Sequence, residues 1–263
     1  MKLLLTALIL ALFLGCTTEA QFKDKLIKTL KDNPDIIVQV IEQNPTQIIE
    51  ALNKAVRASQ ETLAQKRKEE ELEQLEEHYN KPLTPMIRPD ESIRGTKGGP
   101  LLLVEYSDFE CPYCSRAYST VIDLLKKYDG KIQFVFKHLP LSFHPNAMIA
   151  AKYYEAARLQ GPDKAFKMHD EILKNQRVLS SKGESFLKKT AQKIGLDMTK
   201  LKKDLNSSAI KERIDADLKE ASKFGFQGTP GFLLNGVPVK GAYPTSHFDK
   251  IVEELKKRGK VNL

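Results

Sequence analysis

Two thiols stand two residues apart at Cys111-Pro112-Tyr113-Cys114, directly after the apolar run Leu101-Leu102-Leu103-Val104-Glu105-Tyr106. A helix beginning at the first cysteine brings the second sulfur within bonding reach one turn later. It leaves the first exposed at the helix N-terminus, where a charge of roughly +0.5 stabilises a thiolate. A free thiol ionises near ~8.5, whereas cysteines in such motifs fall to about 3.5–7.5 and supply the nucleophile of disulfide exchange at neutral pH. The chain has three cysteines. A structural zinc site needs four ligands, and the only other cysteine, Cys16, lies in a leader-like segment, so the ligand count weighs against zinc. A structural disulfide across so short a loop removes little chain entropy and is strained and reducible. The pair therefore reads as redox-active.

The elements that must position it follow from periodicity. Residues 101–106 predict a buried strand, Pro112 to Tyr128 a helix, and Ile132-Gln133-Phe134-Val135-Phe136 a second strand. A right-handed strand-helix-strand crossover puts the cysteines at the carboxyl end of the first strand, where open α/β sheets carry their chemistry. From about 146 to 224 the pattern is helical, through Ala147 to Leu159, Ala165 to Leu173, Glu184 to Ile194 and Ile210 to Phe224. Strand character returns at Gly231-Phe232-Leu233-Leu234. Asn235-Gly236 then supplies a hairpin turn, Val237-Pro238-Val239 answers it, and Ser246 to Arg258 closes the chain as a helix.

This order, β-α-β, helical insertion, β-β-α, together with its motifs, resembles the thioredoxin fold in its DsbA-like form, over about residues 99–260 of a domain placed at 99–263. The linked motifs are Phe109-Glu110-Cys111-Pro112-Tyr113-Cys114 with Glu105 six residues before the first cysteine, Phe136-Lys137-His138-Leu139-Pro140-Leu141, His144-Pro145-Asn146-Ala147, and Gly228-Thr229-Pro230-Gly231-Phe232. The resemblance implies an α/β fold and an exported thiol-disulfide oxidoreductase that forms or reshuffles disulfides through Cys111 and Cys114, with no metal or organic cofactor. It implies a cis peptide at Pro230 facing the cysteines, and a residue 229 backbone that pairs with an incoming peptide in the manner of an added strand. Thr229, Pro112 and Tyr113 would then contact substrate. Glu105 matches the family's buried acid, a group whose raised pKa would let it exchange a proton with Cys114. Lys137 matches a family lysine and is expected to partner that carboxyl. Tyr118 stands where the family carries a second acid, so thiolate stabilisation is expected to differ from that of the best-known oxidases; Tyr113 stands where the oxidases often carry histidine, so a less oxidising couple is expected. His138 and His144 are two histidines, too few for a metal site.

Upstream, Leu3 to Leu14 is an apolar run broken only by Thr6 and followed by Gly15-Cys16-Thr17. It reads as an export signal, too short to span a bilayer, which needs about 20 residues. Gly15-Cys16 resembles a bacterial lipobox, which implies lipidation at Cys16 and, with Thr17 following, the outer membrane; ordinary signal cleavage is the alternative. Residues 17–80 have helix composition, with no glycine from 21 to 80. Asn33-Pro34 and Asn44-Pro45 each predict a start with asparagine as N-cap and proline at the first helical position. Ile36, Ile37, Val40 and Ile41 form one apolar stripe; Ile48, Ile49, Leu52, Ala55, Val56 and Leu63 form another. So small a module needs a partner for these faces, either a second copy of itself or the main domain, to which it would be a tether. Prolines and glycines crowd 81–98, read as a linker. The net charge of +8 is spread among acids on helical faces, which argues against nucleic acid. The expected partners are unfolded or mis-disulfided exported proteins, a membrane redox partner and further copies of the chain, in a periplasmic or cell-envelope location. A reading from another class is a surface lipoprotein that holds unfolded clients or binds copper through the thiols.

Overall fold

The apolar run 101–107 is buried because a strand lies on each side of it. In the computed structural model, which describes residues 18–263, β2 (Leu101–Ser107) pairs in parallel with β3 (Ile132–His138) and antiparallel with β4 (Gly231–Leu234). The sheet has five strands in the order β1-β3-β2-β4-β5, with β1 (Ile93–Gly95) antiparallel to β3 and β5 (Val237–Lys240) antiparallel to β4. Alternation divides the side chains between two cores. Leu101, Leu103, Phe134, Phe136 and Phe232 face one, with α4 (Pro112–Lys127) and α11 (Thr245–Lys257). Val104, Tyr106, Val135 and Leu233 face the other, against Ala221, Phe224 and Phe226.

The insertion between β3 and β4 holds six helices: α5 (Ala147–Arg158), α6 (Pro162–Lys174), α7 (Gln176–Lys182), α8 (Glu184–Lys193), α9 (Met198–Asp204) and α10 (Ser208–Lys223). Sequence periodicity finds four of them. α7 and α9 have seven residues each, too few for an apolar period to repeat. α9 is announced instead by its N-cap, since the Asp197 carboxylate accepts from the amides of Thr199 and Lys200 at 2.9 and 3.0 Å.

The chain divides into two compact units at Glu70/Glu71, and residues 81–98 prove not to be a linker. They supply β1, and Arg88 bonds Asp217 at 2.6 Å and Glu91 at 2.9 Å. The Met86 amide donates to Glu220 at 2.6 Å, and Arg94 reaches Asp170 at 2.8 Å. Proline and glycine break regular structure, which is all that their density reports; it says nothing of burial. The same segment crosses the β4–β5 hairpin, where Asn235 and Gly236 both adopt positive φ and the Leu83 amide donates to the Gly236 carbonyl at 3.0 Å.

The first unit contains α1 (Glu19–Asp32), α2 (Asp35–Gln43) and most of α3 (Pro45–Asn80), which runs across the boundary. A capping box between Thr18 and Gln21 opens α1. The two asparagines serve differently from expectation. Asn33 donates its side-chain amide back to the Thr29 carbonyl at 2.9 Å, and Asn44 to the Val40 carbonyl at 3.0 Å, so each closes the preceding helix. Proline opens α3 at Pro45, whereas α2 begins one residue after Pro34. Among the described residues no helix is long and apolar enough to cross a membrane.

A Cβ on Gly236 would collide with the Leu83 carbonyl, at a φ of 84° that disfavours side chains. Gly236→Ala is expected to cost about 1–3 kcal/mol, read as a lowered urea midpoint at unchanged m-value.

Candidate active site

The chain leaves β2 at Ser107, turns through Asp108–Glu110, and enters α4 with Cys111 as N-cap and Pro112 in the first turn. The Cys114 amide donates to the Cys111 carbonyl at 3.0 Å, one helical turn closing on itself. Both cysteines are thiols. The Cys111 sulfur lies 3.5 Å from the Thr229 carbonyl, and the Thr229–Pro230 peptide is cis, as the resemblance implied. Cys114 is fully buried, with the Asp108 amide donating to its sulfur at 3.5 Å.

Cys111 was expected to be exposed, yet the residue is only 5% exposed. A loop more than a hundred residues later closes over that helix end, a contact that local spacing does not encode. Burial has not silenced the sulfur, whose pKa falls to about 5. The Cys114 thiol donating to it is the largest cause, followed by the Thr229 hydroxyl and the amides of Cys114 and Tyr113, against the opposing effect of burial. The Thr229 hydroxyl is buried and makes no hydrogen bond among the described residues, which leaves its proton available to a charged Cys111 sulfur. Cys114 moves the other way: burial pushes its pKa up, reinforced by its bond to Cys111 and by the charge of Glu105.

Glu105 is 1% exposed and accepts from the Ser107 hydroxyl at 2.7 Å. Burial lifts its pKa to about 7, Ser107 opposes the shift, and a charged Cys111 adds to it. This carboxyl is suited to exchange a proton with Cys114 near neutrality. Lys137 is not its partner. In the β2–β3 register Glu105 lies beside Phe136 and Tyr106 beside Lys137, so alternation sends the lysine to the opposite face of the sheet. There its ammonium binds Glu220 at 2.5 Å and the Met86 carbonyl at 2.6 Å, and the Tyr106 hydroxyl donates to the same Glu220.

Several supporting residues carry no local sequence signal. Gln176, at the start of α7, donates to the carbonyls of Phe109 at 2.9 Å and Cys111 at 2.8 Å, tying the insertion to the cysteine loop. The Asp108 carboxylate accepts from the amides of Glu110 and Leu141, both at 2.7 Å, and bonds His144 Nδ1 at 2.8 Å. Glu110 accepts from the side-chain amide of Asn146 at 2.8 Å and from its backbone amide. The motifs after β3 thus work by bracing the loop before Cys111. His138 pairs with Glu155 at 2.9 Å instead of joining His144. Among the described residues no three His, Cys, Asp or Glu side chains gather to hold a metal. Pro112 is exposed, as is Tyr113 at 57%. Tyr118 packs beside His169 with Lys174 over its ring. Cys16 lies outside the described residues.

A five-stranded sheet interrupted by helices, with paired cysteines against a cis-proline loop, defines a class, and a family model described as Thioredoxin matches residues 88–254. The chain belongs to the thioredoxin family. Its helical insertion gives it the DsbA-like form of that fold. It is 28% identical to a thioredoxin-like oxidoreductase from Silicibacter pomeroyi DSS-3, over 65% of this chain and 94% of that one, with a TM-score of 0.56. The thiol-disulfide exchange protein alpha-DsbA2 from Wolbachia pipientis shares the fold at 21% identity and a TM-score of 0.57, over 72% of this chain and 97% of its own. A Na(+)/H(+) antiporter NhaA 3 from Salinispora tropica is 36% identical over 159 residues, 60% of this chain and 24% of the antiporter. The chain thus spans about a quarter of the length of the curated relatives it matches.

Iodoacetamide alkylation of Cys111 should be half-maximal near pH 5, against about 8.5 for a free thiol, as followed by mass spectrometry. Glu105, with its pKa raised in the folded state, adds stability below about pH 4.5 that is lost as pH rises through about 7. Glu105→Gln should remove that loss, a relative gain on the order of 3 kcal/mol at pH 8 over pH 4, read from urea unfolding of both proteins at each pH.

Proposed function

We propose that this protein is an extracytoplasmic thiol-disulfide oxidoreductase that forms or reshuffles disulfide bonds in exported polypeptides through Cys111 and Cys114. The observation that carries the reading is the low-pKa sulfur of Cys111, set at a helix N-terminus against the cis Thr229–Pro230 loop.

In the oxidised protein a client thiolate attacks the Cys111 sulfur. The bond between Cys111 and Cys114 breaks, and Cys114 leaves as a thiolate that takes a proton from Glu105. A second client thiolate then attacks the client sulfur of the mixed disulfide, forming the client disulfide and expelling Cys111 as a stable thiolate. Two electrons pass from client to enzyme. In the dithiol form Cys111 attacks a wrong client disulfide, and the released client thiol finds its proper partner or Cys114 completes a reduction. A thiolate pKa of about 5 lies between about 3.5 for DsbA and about 7 for thioredoxin. It supports a couple less oxidising than DsbA.

The N-terminal module joins copies of the chain in this reading. Among residues 18–70 none is buried, and Phe22, Leu26, Ile36, Ile37, Val40, Ile41, Ile49, Leu52, Val56 and Leu63 are each at least 40% exposed. Ile49, Leu52, Val56 and Leu63 follow three-, four- and seven-residue steps, the spacing of an interhelical seam. An export leader with lipidation at Cys16 would hold the assembly at the cell envelope, where oxidised clients and a membrane redox partner are met.

Scrambled ribonuclease should regain activity with the intact protein and not with Cys111→Ser, while Cys114→Ser should accumulate client mixed disulfides on non-reducing gels. Light scattering should find a dimer or trimer, and a chain beginning at Glu71 should be monomeric and lose reshuffling. Failure of the intact protein in exchange refutes the enzyme, whereas an active monomer refutes only the assembly.

A further inference from the structure

A groove borders the reactive sulfur along the Thr229–Pro230 loop. It consists of two depressions, of 360 and 460 Å³, that share Thr229, Lys240 and Gly241. Its walls carry two cations, Arg116 and Lys240, and no carboxylate. Arg116 lies on α4, two residues after Cys114. Its guanidinium lies 4.9 Å over the Tyr113 ring and donates to the Ala242 carbonyl at 3.5 Å, so it is held in place. Lys240 ends β5 and extends its ammonium toward Gly225, 3.7 Å from where a Cβ on that glycine would stand. The two cations thus flank Thr229 from different elements.

Four cations packed into this unit, Arg88, Lys137, Arg158 and Arg213, form ion pairs with buried or half-buried carboxylates. Arg116 and Lys240, exposed like many lysines of the unit's surface, form none among the described residues, and they are the two cations that line the groove. Unspent positive charge beside the nucleophile attracts negative charge on whatever enters, and an extended client lying along residue 229 places its neighbouring side chains in the two depressions.

We propose that Arg116 and Lys240 make this groove select client segments whose reacting cysteine is flanked by acidic residues. The inference rests on the thiol-disulfide exchange proposed above and names the substrate class for that same site. Complementary charge acts mainly on the encounter rate and is screened by salt. Two exposed pairs of this kind give about a fivefold preference.

The test uses the full-length protein in its dithiol form and two fluorogenic peptide disulfides, alike except for aspartate or lysine on both sides of the cysteine. Each rate is divided by the rate of the same peptide with 2-mercaptoethanol, which cancels the peptide's own reactivity. At about 0.01 M ionic strength, where the Debye length is about 30 Å, the aspartate peptide should react about fivefold faster than the lysine peptide. The ratio should approach one near 1 M salt. Arg116→Gln and Lys240→Gln should each lower it, the double charge reversal R116E/K240E should invert it, and Lys200→Gln on α9 should leave it unchanged. Equal normalised rates, or a preference that survives both groove variants, would overturn the inference while leaving the oxidoreductase intact. Reduction of neither peptide would overturn the exchange reading, and this inference with it.

Discussion

A thiolate in a site that is only 5% exposed persists only where donors replace the water it has lost. Four groups do so at Cys111: the Cys114 thiol, the Thr229 hydroxyl and two first-turn amides of α4. Together they outweigh desolvation, which acting alone raises a thiol's pKa. The result is two neighbouring sulfurs with opposed properties. One ionises easily and leaves easily; the other, buried and beside a carboxyl, holds its proton. Exchange chemistry needs that asymmetry, because it decides which sulfur faces the client and which resolves the intermediate.

The rest of the unit keeps the donors in register. Asp108 and Glu110 bind the segments after β3, and Gln176 binds the cysteine loop from the insertion. The loop is therefore braced from two directions. The sheet also separates two sets of buried charge. Glu105 lies on the cysteine face with only a hydroxyl for support, which leaves its pKa near neutrality. Lys137, Asp217, Glu220 and Arg88 lie on the other face in mutual ion pairs that fasten residues 81–98 to α10. Had the lysine reached Glu105, its charge would have favoured the ionised carboxyl and lowered its pKa.

The N-terminal helices pose a different physical problem. They possess caps and apolar stripes but no buried residue from 18 to 70. Isolated helices of nine and fourteen residues are marginal in water, since their stability normally comes from covering an apolar face. That deficit is the physical ground for the proposed assembly role.

Much of this protein was legible in its residues. The Cys111–Cys114 spacing, the strand before it, the hairpin signal at Asn235-Gly236 and the long helices of the insertion are local patterns, and local patterns survive in one dimension because they depend on neighbours a few residues apart. What only the tertiary structure decided was depth and partnership. Cys111 is covered by Thr229, Lys137 turns from Glu105 to Glu220, Gln176 reaches the cysteine loop, and the proline-rich stretch 81–98 becomes an edge strand and a clamp. Each of these depends on strand register or on the meeting of segments far apart in the chain, and neither is written in the spacing of adjacent residues.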